Sequence, residues 1–358
     1  MGGRAALARA AVARAAVGFA SALVALAPAA ARADEALFTE SEVRAILAHG
    51  PWPAPATSDA GNPVSGKREA IIFGEVLFFE KRLSPAGKFA CNSCHVPERN
   101  WTDNRTRGAA VAEVERNPPT LMNLRLGSSF GWSGATDNLS AQSVRPILDA
   151  RELGATSRHV AELMRTDEDL ACRYRKAFGV PPSASDDQAV LSDVGKALAA
   201  LVETFETPPT PFDRFRDALA RGERIRPWVY AEAAQRGAKI FVGKGNCSSC
   251  HSGPNFTNGE LHDNGFSKLA APGYPDAGRS GTFKVPTLRH LLLTAPYGHH
   301  GEVGTLAAAV RHYSETGSAT VTPRKFTTQE QSDLVVFLES LSTFSNPWRP
   351  EDKGRCSF

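Results

Sequence analysis

The sequence predicts an all-α protein built from two related halves. Apolar residues recur with helical periodicity along most of the chain, whereas the alternation that marks strands is scarce. A five-residue motif, Cys-x-x-Cys-His, occurs twice, at 91–95 and at 247–251. A chain of 358 residues with 42% hydrophobic residues is long enough for two domains of ordinary size.

Residues 1–33 predict a cleaved export signal. An apolar run from Ala15 to Ala27 is too short to span a bilayer, and Ala31-Arg32-Ala33 has the form of a cleavage site. Removing this segment takes away four positive charges and changes the formal charge from +3 to −1; these are Arg4, Arg9, Arg14 and Arg32. No basic surface for nucleic acid remains, and no later run predicts a transmembrane helix. We therefore expect a soluble protein of the bacterial periplasm.

Five further stretches predict helices of the body of the protein, at 40–49, 68–80, 138–149, 156–166 and 187–206. A loop rich in Pro, Gly and Ser separates the first two. The sequence Gly74–Phe78 before the first motif is similar to Gly237–Phe241 before the second, which indicates an internal repeat. A proline-rich joint at 208–211 is the expected domain boundary.

The last predicted helix begins at Thr328-Gln329-Glu330-Gln331, which has the form of a capping box. It continues with a broad apolar face formed by Leu334, Val335, Phe337, Leu338 and Leu341. An amphipathic stretch, Leu306 to Tyr313, precedes it.

Each Cys-x-x-Cys-His motif predicts a covalent attachment site for a c-type haem. Two thiols three positions apart can each add to a vinyl group of one haem, and the next histidine can ligate the iron. The two sites are Cys91, Cys94 and His95, and Cys247, Cys250 and His251. The alternative is a zinc ribbon, whose knuckles usually lie about 15–20 residues apart and need no histidine after each. We therefore expect two cytochrome c-type domains, 34–210 and 211–358, each carrying one haem that supplies part of the core.

The other two cysteines, Cys172 and Cys356, allow two interpretations. In an oxidising compartment they could form a bridge that ties the C-terminal tail to the first half of the chain. Two unpaired thiols are the alternative.

The far side of each haem decides its chemistry. Residues 96–120 contain no His, Met or Tyr, so the first iron is expected to keep an open face unless a distant segment supplies a ligand. For the second iron, no methionine lies in the second half of the chain. The remaining candidates there are Tyr313, His262, His290, His299, His300 and His312. By itself, a lone tyrosine on a helix is more often a packed core ring.

Taken together, these residues resemble the bacterial di-haem cytochrome c peroxidase family, including its branch typified by the methylamine-utilisation enzyme MauG. The resemblance covers nearly the whole mature chain. Its motifs occur in the family's order, namely Leu77-Phe78-Phe79, Arg116-Asn117-Pro118-Pro119-Thr120-Leu121, Trp132-Ser133-Gly134, Phe283-Lys284-Val285-Pro286-Thr287-Leu288-Arg289 and Thr294-Ala295-Pro296-Tyr297-Gly298-His299.

The resemblance implies catalytic roles near the first haem. Gln142 and Glu152 match the family's two distal acid–base residues, and Pro146 matches a proline that lines the same pocket. Glu152 is then expected to move a proton between the two peroxide oxygens, while Gln142 holds the leaving oxygen. Without the resemblance, Gln142 and Glu152 would be interpreted as an exposed helix pair. Trp132 matches the tryptophan that lies between the haems in relatives.

The resemblance also implies a calcium ion between the haems, held by a side-chain oxygen of Asn117 and the carbonyls of Thr294 and Pro296. At the far side of the second haem, Tyr313 matches the position that is Tyr in the MauG-type branch and Met in the peroxidases. Two positions depart from the pattern. His300 stands where relatives often have Asp or Asn. Gly245 stands where the MauG-type branch has a tryptophan used as a surface exit for oxidising a docked protein.

Three functions follow as expectations. The first is a peroxidase that reduces hydrogen peroxide with electrons from a cytochrome c or a cupredoxin. The second is a MauG-type oxidase that modifies aromatic residues of a partner protein, with Gly245 counting against a shared exit route. The third is a plain electron carrier. The resemblance allows a homodimer.

Overall fold

The computed structural model describes residues 37–55, 59–269, 281–318, 321–344 and 354–357. The export signal predicted for 1–33 lies outside these residues. Within the described part of the chain, no helix is both long enough and apolar enough to cross a membrane.

Helices dominate the described residues, which confirms the predicted helix-rich fold. The α-helices are α1 (Glu40–Leu47), α2 (Arg68–Phe78), α3 (Leu139–Leu148), α4 (Ser157–Thr166), α5 (Glu168–Phe178), α6 (Asp187–Val202), α7 (Pro211–Ala220), α8 (Glu232–Val242), α9 (Leu306–Glu315) and α10 (Thr328–Glu339). Strands β1 (Leu261–His262) and β2 (Phe283–Lys284) form an antiparallel pair in which Leu261 lies opposite Lys284.

Buried apolar residues form two clusters. The first is built by residues between 64 and 205, with α6 packed against α2, α3 and α4 at its centre. The second is built by Ile46 and by residues between 212 and 341, around the contact of α8 with α10. The N-terminal helix α1 therefore packs on the second cluster, against α7 and α8.

Two glycines of the predicted internal repeat occupy equivalent positions. A Cβ at Gly74 of α2 would collide with the carbonyl oxygen of Ala197 in α6. A Cβ at Gly237 of α8 would likewise collide with the carbonyl oxygen of Asp333 in α10. Each glycine thus lets the helix before an anchor motif approach a partner helix at backbone distance. The similarity that the sequence indicates is a similarity of helix packing.

Apolar periodicity located seven helices, α1 to α4, α6, α9 and α10, the internal repeat indicated α8, and two helices were missed. The missed helices are α5 and α7. Asp167 ends α4 and also accepts a hydrogen bond from the Leu170 amide as the N-cap of α5, so no loop separates the two helices. The proline-rich joint caps α7 directly, because Thr210 and Asp213 form its capping box.

The capping box of the last helix lies one residue earlier than predicted. Thr327, not Thr328, accepts the hydrogen bond from the Glu330 amide, and the Glu330 carboxylate accepts from the Thr327 amide at 2.8 Å. Both registers match the motif in sequence, and the backbone of Thr327 is extended as a cap requires.

A disulfide joins Cys172 of α5 to Cys356, with 6.0 Å between their Cα atoms. Of the two alternatives left open by the sequence, the bridge is therefore the one found. The tail is also held by hydrogen bonds, since Arg173 donates to the Gly354 carbonyl at 2.6 Å and the Cys356 amide donates to Asp169 at 2.6 Å. The described C-terminal residues are thus fastened to the first half of the chain.

Candidate functional site

The first anchor follows α2 as a single turn of 3-10 helix, Cys91–Ser93. The Nδ1 atom of His95 lies 2.9 Å from the carbonyl oxygen of Trp101. Because a carbonyl only accepts, Nδ1 carries the proton and Nε2 keeps its lone pair for a metal. The Trp101 ring is fully buried and stacks on Phe205 with 3.7 Å between ring centroids. The histidine is therefore oriented by a rigid part of the core.

The second anchor repeats this arrangement. Cys247–Ser249 form the 3-10 turn, and Nδ1 of His251 lies 3.0 Å from the carbonyl oxygen of Phe256. Burial lowers the pKa of His251 to about 4, so the imidazole stays neutral. Phe256 and Trp101 are both fully buried, and both have a left-handed backbone, with φ of 52° and 60°.

The two anchors fit c-type haem. Their four thiols are free and half-buried, and each pair lies on one turn beside a neutral imidazole. A zinc ribbon would instead bring four ligands to one point. In the described residues, no group of three or more His, Cys, Asp or Glu side chains is arranged to hold a metal ion. The zinc alternative is therefore not supported.

Glu152 lies near the first anchor. Its half-buried carboxyl acts electrostatically on Cys91 and Cys94, whose pKa values are raised to about 12 and about 11, chiefly by burial. Burial also raises the pKa of Glu152, and the charge of Asp149 adds to this. The backbone of Glu152 is fixed, since its carbonyl accepts the amide of Val111 at 3.2 Å. The loop after the first anchor thus holds the acid beside the haem site.

Gln142 lies on α3, whose N-cap Asn138 accepts the Ala141 amide at 2.8 Å. Its Oε1 atom accepts a hydrogen bond from the Thr136 hydroxyl at 3.0 Å. Pro146, one turn further along α3, accepts the amide of Leu153 at 3.1 Å. The turn that carries Glu152 therefore folds back onto α3. Across the residues described, no hydrogen bond joins Gln142 to Glu152.

Trp132 contacts both the first-anchor segment and the loop after β2. Its indole nitrogen donates to the carbonyl of Asn117 at 2.8 Å, and its ring lies 6.3 Å from that of His299. The His299 ring stacks on Phe283 with 3.6 Å between centroids. Burial lowers the pKa of His299 to about 3, helped by His300. Trp132 therefore borders a stacked pair of rings, one of which is a neutral imidazole.

The residues implied for calcium lie on adjoining segments. The backbone amide of Asn117 donates to the His299 carbonyl at 3.0 Å. The Asn104 side chain donates to the carbonyls of Leu293 and Ala295 at 3.1 and 2.9 Å. These bonds bring the two segments of the predicted calcium site together. In the described part of the chain, the carbonyls of Thr294 and Pro296 accept no hydrogen bond. Carbonyl oxygens of this kind are suitable calcium ligands.

Tyr313 lies on α9 near the second anchor. The pKa of its phenol is raised to about 12, chiefly by burial and in small part by Cys247 and Cys250. Its oxygen accepts a hydrogen bond from the Asn264 side chain at 3.4 Å.

Two histidine candidates, His312 and His262, have hydrogen-bond partners of their own. His312 bonds to the Asn264 carbonyl at 2.8 Å, and His262 lies 3.4 Å from the side-chain nitrogen of Asn258. The side chain of His290 is buried, and among the described residues neither of its ring nitrogens has a hydrogen-bond partner. His299 and His300 belong to the cluster around Trp132.

His300, a departure from the family pattern, forms a bridge between segments. Arg116 donates to its Nε2 atom at 2.8 Å, and its Nδ1 atom donates to the Glu115 carbonyl at 2.6 Å. This pattern requires the neutral tautomer with the proton on Nδ1.

Sequence reasoning missed two groups beside the second anchor. His49 stacks on Phe256 with 4.4 Å between centroids, and burial lowers its pKa to about 4. Arg289 and Asp213 form a fully buried ion pair with two contacts of 2.9 Å, and Arg289 also donates to the Pro254 carbonyl at 2.7 Å. The motif containing Arg289 was a sequence signal, but its partner lies 76 residues away. Nothing in the sequence pointed to His49.

Comparisons with known proteins agree on one family. The family model described as di-haem cytochrome c peroxidase matches residues 68–221. The methylamine utilization protein MauG of Methylorubrum extorquens is 32% identical over 85% of this chain and 86% of its own. The cytochrome c551 peroxidase of Nitrosomonas europaea is 31% identical over 75% of this chain and 78% of its own.

Solved structures are similar over most of the chain. A MauG-like protein associated with microbial copper homeostasis is 27% identical, with a TM-score of 0.67, over 84% of this chain and 100% of its own. The diheme peroxidase BthA of Burkholderia thailandensis, at 19% identity and a TM-score of 0.62, covers 81% of this chain and 90% of its own. The latter similarity concerns the fold alone.

Proposed function

Because this chain belongs to the di-haem cytochrome c peroxidase family, we propose that it reduces hydrogen peroxide at its first haem site with electrons relayed through the second. The family consists of oxidoreductases that act on peroxide and carry two c-type haems. When attached, the haems would supply peroxide binding and electron storage. The residues of the chain would hold the haems, move the proton and guide the electrons.

The position of Glu152 is the observation that carries this proposal. Its carboxyl lies in electrostatic range of both thiols of the first anchor, and burial raises its pKa. A raised pKa makes the carboxylate a stronger base than an ordinary glutamate, so it accepts a proton more readily. Glu152 would accept the proton of the near peroxide oxygen and deliver it to the far oxygen, which leaves as water.

Gln142 would orient the departing oxygen. The Thr136 hydroxyl donates to Oε1 of Gln142, so the amide nitrogen of the same side chain can donate elsewhere. A donor aimed at an oxygen that gains negative charge lowers the barrier to its departure.

Trp132 would guide electrons between the two sites. Its ring lies against His299, and its indole nitrogen is bonded to Asn117. Full reduction of hydrogen peroxide to two waters consumes two electrons and two protons. The electrons would come from a periplasmic carrier such as a cytochrome c or a cupredoxin.

The proposal assigns the enzyme to the periplasm and includes calcium. The disulfide between Cys172 and Cys356 supports an oxidising compartment. Calcium would be held by Asn117, Thr294 and Pro296, and the joined segments around Asn117 support this assignment.

A MauG-type oxidase is the second candidate function. Tyr313 favours it, because its phenol lies in electrostatic range of the second anchor thiols. The MauG relative at 32% identity supports it as well. In that case the oxidising equivalents would be consumed by oxidation of aromatic side chains of a partner protein. Membership in a family of peroxide-acting enzymes disfavours the plain electron carrier.

Peroxide turnover tests the two candidates. We expect rapid consumption of hydrogen peroxide with a reduced cytochrome c as donor, and Glu152→Gln should lower kcat by about 10²–10⁴-fold without changing haem content. Glu162→Gln, an exposed position on α4, is the matched control. If peroxide alone instead leaves oxidising equivalents that persist for minutes and turnover with the donor is slow, the MauG-type function is supported.

A further inference from the structure

The loop between α7 and α8 exposes a tryptophan among arginines. Trp228 is 76% exposed and Val229 is 55% exposed. Over 221–229 the loop also exposes three arginines and one acidic residue, Glu223, which is paired with Arg221, so the excess positive charge comes from Arg224 and Arg226. We call the exposed set Arg221, Arg224, Arg226, Trp228 and Val229 the Trp228 surface. Tryptophan and arginine are enriched in protein interfaces, where lysine and acidic residues are depleted.

One arginine contacts the exposed indole, and the backbone that carries it forms a turn. The guanidinium of Arg226 lies over the Trp228 ring, 5.2 Å from its centroid. A turn follows, because the amides of Val229 and Tyr230 both donate to the Arg226 carbonyl, at 2.8 and 3.2 Å. This turn directs Trp228 outward, whereas Tyr230 is only 3% exposed. The indole is therefore available to a partner, and a tryptophan has few rotatable bonds to immobilise on binding.

Behind the turn, packed aromatic rings lead to the second haem anchor. The Tyr230 ring stacks on Phe215 with 4.3 Å between centroids and 10° between planes. Phe215 contacts Phe212 at 6.2 Å, and Phe212 contacts Phe256 at 5.2 Å. The carbonyl of Phe256 accepts the hydrogen bond from His251. A path of buried rings therefore begins at Tyr230, two residues from Trp228, and ends at the carbonyl that holds the ligand histidine of the second site.

We propose that the Trp228 surface is the docking site of a small acidic redox protein that delivers electrons to the second haem site. This inference rests on the proposed peroxidase function and gives its electron donor a docking surface and a sign of charge. One electron leaves the reduced metal centre of the donor, which is oxidised by one unit, and enters at the second haem site. No bond forms or breaks in this step.

Electron transfer without peroxide tests the docking surface. The oxidised protein with both haems attached is mixed with reduced plastocyanin, an acidic copper protein, and the second-order rate is followed by stopped flow over a range of ionic strength. We expect Trp228→Ala and the double variant Arg224→Glu/Arg226→Glu to lower this rate by about tenfold or more at low salt, and the rate of the parent protein to fall as salt rises. Calorimetric binding of plastocyanin should weaken in parallel.

Matched controls lie on the other half of the chain. Arg158→Glu reverses an exposed charge and Val180→Ala removes an exposed apolar side chain, and both should keep the parent rate within about twofold. Equal rates for the parent and the Trp228-surface variants would overturn the proposal, as would an equal loss in Arg158→Glu.

Other occupants would also overturn it. A parent dimer that Trp228→Ala dissociates in sedimentation assigns the surface to a second copy, and binding of anionic vesicles that the double variant abolishes assigns it to a membrane. Peroxide turnover by the parent protein with a small-molecule reductant tests the proposed function separately. No peroxide turnover would contradict the proposed peroxidase function. Turnover together with plastocyanin rates that the Trp228-surface variants leave unchanged would contradict only the docking surface.

Discussion

The indole nitrogen of Trp132 donates a hydrogen bond to the backbone carbonyl of Asn117, 2.8 Å away. The backbone amide of the same asparagine donates to the carbonyl of His299 at 3.0 Å, and the His299 ring lies beside the tryptophan. Asn117 and Trp132, which are 15 residues apart, therefore meet His299 from a distant part of the sequence at one aromatic cluster. The cluster links the residues expected between the haems with those expected to hold calcium.

Replacing Trp132 with Phe should slow electron passage between the two haem sites. The ring contact with His299 would remain, while one hydrogen bond would be lost, at a stability cost of about 0.5–1.5 kcal/mol. Rapid-mixing spectroscopy after peroxide addition measures the rate at which the second site is oxidised. An unchanged rate in a correctly folded variant would rule out Trp132 as the route.

The activity of the parent protein should fall with acid at a higher pH than is usual for a glutamate. Burial first, and then Asp149, raise the pKa of Glu152, and the base form is lost as pH falls through that raised value. Initial rates between pH 4 and 8 measure the effect. In Glu152→Gln the residual activity should lose this acid limb, and in Glu162→Gln the limb should stay.

The Glu152 carboxyl should also make the stability of the protein depend on pH, and here its contribution falls as pH rises. Because the folded-state pKa of Glu152 is raised, its stabilising contribution is complete below the unfolded pKa and is lost as pH rises through the folded pKa. Glu152→Gln should therefore gain in Tm relative to the parent at pH 7 and not at pH 3.5. Thermal melts at the two values decide this.

Removing the disulfide should destabilise the protein without disturbing the haem sites. Cys172 and Cys356 close a loop of 184 residues, and a native bridge typically contributes about 2–4 kcal/mol. We expect the double variant Cys172→Ser/Cys356→Ser to melt at a lower temperature, with unchanged haem absorption. The parent protein under a reducing agent should match the variant, and the variant should not respond to the reductant.

Replacing Tyr313 with Phe should change the absorption spectrum of the second haem site. The phenol oxygen is the group expected to reach the iron, and Phe keeps the ring on α9. Tyr297→Phe, which removes a phenol bonded to Leu291 at 2.9 Å, serves as the control. A spectrum identical to that of the parent would leave His262, His299 or His312 as the ligand.

Chelation should test the calcium assignment. We expect treatment with a calcium chelator to lower Tm and to slow electron passage through the Trp132 cluster, because the segments around Asn117 and Pro296 would lose a shared ion. Calcium should restore both properties, and magnesium should not, since it demands a smaller octahedral site. Metal analysis that finds no bound calcium before chelation would contradict the assignment.

The sequence by itself determined what depends on near neighbours along the chain. Each anchor places two thiols and a histidine within five residues, so its chemistry follows from spacing alone. Helix positions followed from apolar periodicity in the same way. Helices α5 and α7 were missed because each begins at an N-cap that directly follows the preceding segment, with no loop to mark the boundary.

Only the tertiary structure decided which distant groups meet. The bridge between Cys172 and Cys356, the burial of Arg289 with Asp213, and the approach of Glu152 to the first anchor all join residues far apart in sequence. A pKa shift or an ion pair depends on burial and on a partner elsewhere in the fold, and neither of these can be derived from the spacing of residues along the chain. Long-range contacts arise from packing of the whole chain, which is why pattern alone left them open.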